Sequence, residues 1–192
     1  SECLVGSEMS IRDRSKGGSG GMRGGIPVNY IKITTPDIAN GIGCRVTLWC
    51  SGCSHRCPGC HNPQTWDAAA GNPFIEDTMQ ELLDLLRPDY IQGLTFSGGD
   101  PLFVQNRLIV GYICERVRKE FGDTKDIWMW TGYKWDQIKD WDHLNYVDVL
   151  VDGPYIEAQR DISLPWAGSN NQRVIDVKQS LKKNEVVLWK EN

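Results

Sequence analysis

The sequence has no apolar run of ~18 residues, which excludes a membrane-spanning helix. It carries no basic-then-apolar leader at its N-terminus, so the expected compartment is reducing and cytoplasmic. Positive charge is not in excess. Lys+Arg 21 against Asp+Glu 25 gives a net charge of −4, which argues against broad binding to nucleic acid, although that sum does not exclude a local basic groove. Neither nucleic acid nor a membrane is an expected partner. Internal repeats are absent, which sets aside solenoids and propellers. What is present is ordinary globular material. The 192 residues, 40% hydrophobic and 24% charged, suit roughly one domain with a core that needs no disulfide staples.

Residues 1–25 differ from the rest. Seven of the 20 glycines fall there, and Gly17-Gly18-Ser19-Gly20-Gly21 has the composition of a flexible linker. Met22 directly follows it and resembles a start of translation. The expectation is a flexible N-terminal segment, a linker or fused peptide over residues 1–21, with a natural tail as the alternative. Residues 26–192 are expected to form one domain. From Tyr30 onward apolar alternation and helical stripes take turns. Strands are expected over Tyr30–Ile33, Arg45–Trp49, Ile91–Phe96, Ile127–Trp130, Val147–Val151, Arg173–Val177 and Val186–Trp189. Helices are expected over Ile75–Leu86, Leu102–Phe121 and Trp135–Trp141. This order implies βαβ units, hence an α/β fold with a largely parallel sheet. The units are too few for a closed eight-stranded barrel, so an open, partial (β/α) barrel is expected. In such folds the turns after the strands gather at one edge and meet the ligand. Trp128 and Trp130 alternate with Met129 on one strand, so packing is their default role.

Seven cysteines stand at 3, 44, 50, 53, 57, 60 and 114. An odd number cannot form a fully paired disulfide framework. Four fall between Cys50 and Cys60, and Cys53, Cys57 and Cys60 have the spacing C-x3-C-x2-C. Thiolates are soft ligands that favour zinc or iron–sulfur clusters. Three of them on a four-iron core leave one iron open to an exogenous ligand. Two readings remain on spacing alone: such a cluster on Cys53, Cys57 and Cys60, or a zinc site that adds Cys50. Cys50 ends an apolar strand and also suits a buried structural thiol. One βα unit later, Ser97-Gly98-Gly99-Asp100-Pro101 follows the strand Leu94-Thr95-Phe96. Glycines there free the backbone to approach a ligand.

These two features in this order resemble the radical S-adenosylmethionine (SAM) enzymes. The longer strings narrow the resemblance: Asn40–Val46, Gly52–Trp66, Phe96–Leu102, Trp130–Tyr133, Val151–Tyr155 and Asn171–Val174 resemble the activases of anaerobic ribonucleotide reductases. The resemblance runs from about Tyr30 to the C-terminus. It implies a [4Fe–4S] cluster on Cys53, Cys57 and Cys60, with SAM on the open iron. It also implies reductive cleavage of SAM, and a glycyl radical raised on the large reductase subunit. An electron donor such as flavodoxin would reduce the cluster. Ser97, Gly98 and Gly99 would meet the SAM amino group, and Asp100 would brace that turn or help receive the ammonium. The backbone of Gly59, Cys60 and His61 would lie along the adenine. His55 and His61 suit solvated loop positions as well as proton transfer. Many relatives carry an aromatic residue where this chain has Gly59, and Glu where it has Asp100. Ser169–Arg173 would lie near the open edge, with a plain surface loop as the alternative. The alternatives within the same chemistry are a pyruvate formate-lyase activase and a 7-carboxy-7-deazaguanine synthase; outside it stands a non-catalytic zinc-binding interaction module. Removing residues 1–21 is expected to leave iron incorporation and SAM cleavage unchanged, read as iron per chain and as 5′-deoxyadenosine formed.

Overall fold

The computed structural model describes residues 28–191. The reading of residues 1–25 as a linker or fused peptide lies outside the described residues. Seven strands form one sheet: β1 (Asn29–Asp37), β2 (Cys44–Cys50), β3 (Asn72–Pro73), β4 (Ile91–Gly98), β5 (Asp126–Trp130), β6 (Val149–Asp152) and β7 (Arg173–Asp176). Their order is β3-β1-β2-β4-β5-β6-β7, and the two end strands do not pair, so the sheet is open. The middle four strands, β2, β4, β5 and β6, are parallel. Both flanks are antiparallel, which qualifies the largely parallel sheet expected. The cause is connectivity. No helix separates β1 from β2, and β7 returns to β6 through a long loop, so neither has the crossover that parallel pairing needs.

The crossovers carry helices α1 (Glu76–Leu86), α2 (Arg107–Phe121) and the single turn α3 (Trp135–Ile138), and α4 (Val177–Lys183) follows β7. On α1 the buried stripe is Met79, Leu82, Leu83 and Leu86; on α2 it is Val110, Ile113, Cys114 and Val117. Both stripes pack into one core with Val46, Leu48, Leu94, Phe96, Ile127 and Met129 from the sheet. Trp128 lies on the opposite face of the sheet from Met129. It is buried, stacks on Trp130, and meets Trp166 and Trp189 edge-on. The fully buried Arg45 guanidinium also covers the Trp128 ring, at 5.4 Å. That guanidinium donates to Thr95 Oγ1 at 2.7 Å, the carbonyls of Ile42 and Leu94 at 3.0 Å each, and Asp126 Oδ1 at 2.5 Å.

Several boundaries depart from expectation, each for a local reason. The expected helix over Leu102–Phe121 starts only at Arg107. Side chains take over the preceding turns: Asp100 Oδ1 accepts the Leu102 N–H at 2.8 Å, and Asn106 Nδ2 donates to the carbonyls of Ser51 and Asp100, both at 2.8 Å. The expected strand over Val186–Trp189 is reduced to an isolated bridge between Ile175 and Leu188. Sequence periodicity missed α4, which is short but well capped: Asp176 accepts the Gln179 N–H at 2.9 Å, and Asn184 ends it in the left-handed region. The pairings Cys50↔Gly98 and Trp130↔Val151 align the C-terminal ends of the parallel strands along one edge. Replacing Arg45 by Met is expected to lower stability by about 2–3 kcal/mol, measured by denaturant unfolding. That is below the ~3–5 of a fully buried pair because Asp126 keeps some solvent.

Candidate metal centre

The cysteine loop leaves the end of β2 and is shaped by its own backbone. The Gly52 N–H donates to Thr65 O at 2.8 Å, the Cys53 N–H to Trp66 O at 3.2 Å, and the Cys60 N–H to Cys57 O at 3.1 Å. Arg56 and Gly59 both take left-handed backbone, with φ of 45° and 70°. Glycine suits that position. A side chain at 59 would also strike the Glu157 carboxyl group, 2.7 Å from where its Cβ would stand. Cys53, Cys57 and Cys60 are half-buried, whereas Cys50 belongs to the hydrophobic core.

The sulfur environments separate these thiols. Burial pushes the Cys53 thiol up, and the backbone N–H groups of His55 and Arg56 oppose that rise. Burial raises Cys57 likewise, opposed by the Tyr155 N–H. The Asn62 N–H donates to Cys60 Sγ at 3.4 Å. Backbone donors aimed at sulfur favour the thiolate and are a known lever on iron–sulfur centres. All three cysteines therefore fit soft-metal ligation. Cys50 does not join them: burial drives its thiol far above the ordinary range, with Asp100 and Cys114 adding to the rise. A four-cysteine zinc site would need Cys50 to leave the core. Among the described residues, no three His, Cys, Asp or Glu groups gather closely enough to hold a single metal ion. A cluster is wider than an ion and does not require that.

The glycine turn after β4 presses against this loop. The Gly99 N–H donates to Cys50 O and the Asp100 N–H to Gly52 O, both at 2.8 Å. A Cβ on Gly99 would stand 2.5 Å from Gly52 O, so only glycine allows the approach. The Asp100 carboxylate is buried. It accepts from the Leu102 N–H at 2.8 Å, the Thr131 hydroxyl at 2.9 Å and the Gly132 N–H at 3.0 Å. His55 Nε2 lies 2.9 Å from Asp100 Oδ2, a charge contact when the ring is protonated rather than a well-directed hydrogen bond.

A cavity of about 700 Å³ opens at this edge. Cys53, Cys57, Gly59, Cys60, His61, Ser97, Gly98, Gly99 and Asp100, the residues singled out from the sequence, all line it. Trp130 at the end of β5, expected only to pack, joins the wall, and residues given no site role complete it: Thr131 and Gly132 after β5, and Gly153, Tyr155, Glu157 and Arg160 after β6. Their position at strand ends was the available signal. The polar run Ser169–Arg173 contributes Gln172 to the wall. Otherwise it braces the loop after β6. Asn171 Nδ2 donates to Pro154 O at 2.7 Å, Gln172 Nε2 to Gly153 O at 3.0 Å, and Arg173 pairs with Asp152 at 2.5 Å.

The family model described as a 4Fe-4S single cluster domain matches residues 39–175, which span the cysteine loop, the glycine turn and the polar run. Among curated proteins, the anaerobic ribonucleoside-triphosphate reductase-activating protein of Enterobacteria phage T4 is 47% identical over 147 residues, covering 77% of this chain and 93% of the phage protein. The chain belongs to this family of activating proteins. The Haemophilus influenzae activating protein is 44% identical over 149 residues, with 76% of this chain and 96% of its own length covered. That of Escherichia coli K12 is 42% identical over 151 residues, with 77% and 97% covered. The description of the matched family model, a single 4Fe-4S cluster domain, supports an iron–sulfur cluster and is in keeping with the three sulfur positions. Gly99→Ala is expected to force the turn off the cysteine loop. The cost is about 1–3 kcal/mol in unfolding, together with reduced iron per chain after anaerobic reconstitution.

Proposed function

We propose that the chain is a radical SAM oxidoreductase that raises a glycyl radical on the large subunit of an anaerobic ribonucleotide reductase. One observation carries the reading: the three half-buried cysteines and the Ser97–Asp100 turn open onto a single cavity at the C-terminal edge of the parallel strands. The parallel block β2, β4, β5 and β6 also supports an open partial (β/α) barrel of radical SAM type. Cys53, Cys57 and Cys60 would hold the [4Fe–4S] cluster. When bound and reduced, the cluster supplies the electron that cleaves SAM to methionine and a 5′-deoxyadenosyl radical, which takes an α-hydrogen from the target glycine. The chain's own part is binding, orientation and exclusion of water.

Ser97 and the carbonyls of Gly98 and Gly99 would receive the SAM ammonium. The Gly99 N–H, a donor like the ammonium, is spent instead on Cys50 O, which ties the turn to the cysteine loop. The backbone from Gly59 to His61 would follow the adenine. Gly59 leaves no side chain to stack there, so the purine would rest on main chain. Trp130 and Tyr155 give the wall apolar surface that displaces water from the reacting bond. The named relatives activate an anaerobic ribonucleoside-triphosphate reductase, which favours that partner over pyruvate formate-lyase. A flavodoxin would serve as electron donor, in the cytoplasm.

The test is anaerobic reconstitution with iron and sulfide, reduction by dithionite with SAM, and assay of 5′-deoxyadenosine. Cys53→Ala, Cys57→Ala and Cys60→Ala are each expected to lower its formation at least ~100-fold, while Cys50→Ala leaves it within a few-fold. Zinc uptake that needs Cys50, without SAM cleavage, would replace this reading with the binding module.

A further inference from the structure

We propose that Asp100 is a positioning residue: its carboxylate latches the glycine turn to Thr131–Gly132 and to His55 of the cysteine loop, and it makes no contact with SAM. For the ligand's identity this rests on the function proposed above. The latch itself rests on geometry alone.

An ionised carboxylate offers about four acceptor sites. Three protein groups donate to those of Asp100, and His55 Nε2 stands against the carboxylate without a hydrogen bond. Oδ1 takes the Leu102 N–H and the Thr131 hydroxyl, and Oδ2 takes the Gly132 N–H and faces His55 Nε2. The residue is 1% exposed, so no fifth partner reaches it without displacing one of these. A SAM ammonium would therefore be received by carbonyls of the turn.

The partners come from three separate segments that all line the cavity. Leu102 follows the turn after β4, Thr131 and Gly132 end β5, and His55 stands between Cys53 and Cys57. The Asp100 main chain adds two further ties, N–H to Gly52 O and C=O from Asn106 Nδ2. His55 is seated to serve as an arm of the latch. Its ring meets Tyr133 edge-on at 4.6 Å. It also covers Gly132 so closely that a Cβ there would fall 2.4 Å from the ring. Holding His55 fixes the loop between two candidate cluster ligands. The shorter acid suits this role: aspartate reaches Thr131 and Gly132 at 2.9 and 3.0 Å while itself buried.

Two measurements separate a latch from a ligand contact. The first is amide hydrogen exchange on reduced, metal-free protein for wild type, Asp100→Asn, Thr131→Val and the double variant. Asparagine turns one acceptor into a donor facing donors, so exchange should rise together, about tenfold or more, at residues 98–99, 131–132 and 53–57. Thr131→Val should move the same three segments less. The double variant should exchange no faster than Asp100→Asn, because both changes remove one shared contact. The second is SAM affinity of the reconstituted protein carrying Asp100→Glu. A latch predicts affinity weakened about tenfold, because the longer side chain dislocates the turn; a direct contact predicts affinity kept or improved. Unchanged exchange in Asp100→Asn and Thr131→Val, or SAM binding by Asp100→Glu equal to wild type, would overturn the latch. Should wild-type protein bind no SAM, the functional reading fails, and the exchange measurement still decides the latch.

Discussion

Two backbone hydrogen bonds hold the ends of β2 and β4 together beyond the last ladder pair, Gly99 N–H to Cys50 O and Asp100 N–H to Gly52 O. The rest of the site depends on them. They bring the cysteine loop and the glycine turn within van der Waals distance, and only residues without a Cβ permit that approach. Because the two segments leave adjacent parallel strands, their separation is set by strand spacing rather than by loop length. A site assembled in this way inherits the rigidity of the sheet. The loops after β5 and β6 then need only close the remaining wall.

Much of this was legible in the sequence, for identifiable reasons. Thiols clustered at C-x3-C-x2-C spacing have few roles, so Cys53, Cys57 and Cys60 stood out at once. A glycine pair at a strand end marks close backbone approach, and the fold puts Gly98 and Gly99 at such a contact. Apolar periodicity found α1 and α2 because both bury continuous stripes. The same signal failed at α4, where capping by Asp176 and Asn184, not amphipathicity, defines the helix. It overextended α2, because Asp100 and Asn106 side chains claim the backbone groups that a helix would have used. For Thr131, Gly132 and Glu157 only a place after a strand end was legible; their partners, Asp100 and the space beside Gly59, come from segments far apart in the chain.

The two faces of the sheet are stabilised differently. On one, α1 and α2 bury aliphatic side chains. On the other, Trp128 is enclosed by three tryptophans and by a guanidinium that makes four hydrogen bonds. Arg45 ties β2, β4 and β5 together through Thr95, Leu94 and Asp126, and so fixes the lateral order of the strands whose ends carry the site. The cost of desolvating that charge is offset by hydrogen bonds to β4, to β5 and to the Ile42 carbonyl before β2.

The cysteine loop owes its form to the carbonyls of Thr65, Trp66 and Cys57, none of which is a metal ligand. Small metallo-domains that fold only around their ion lose their structure when the ion departs. Here the socket is built by the polypeptide. Its main-chain ties to Thr65 and Trp66 are restraints that a bound cluster would not have to supply.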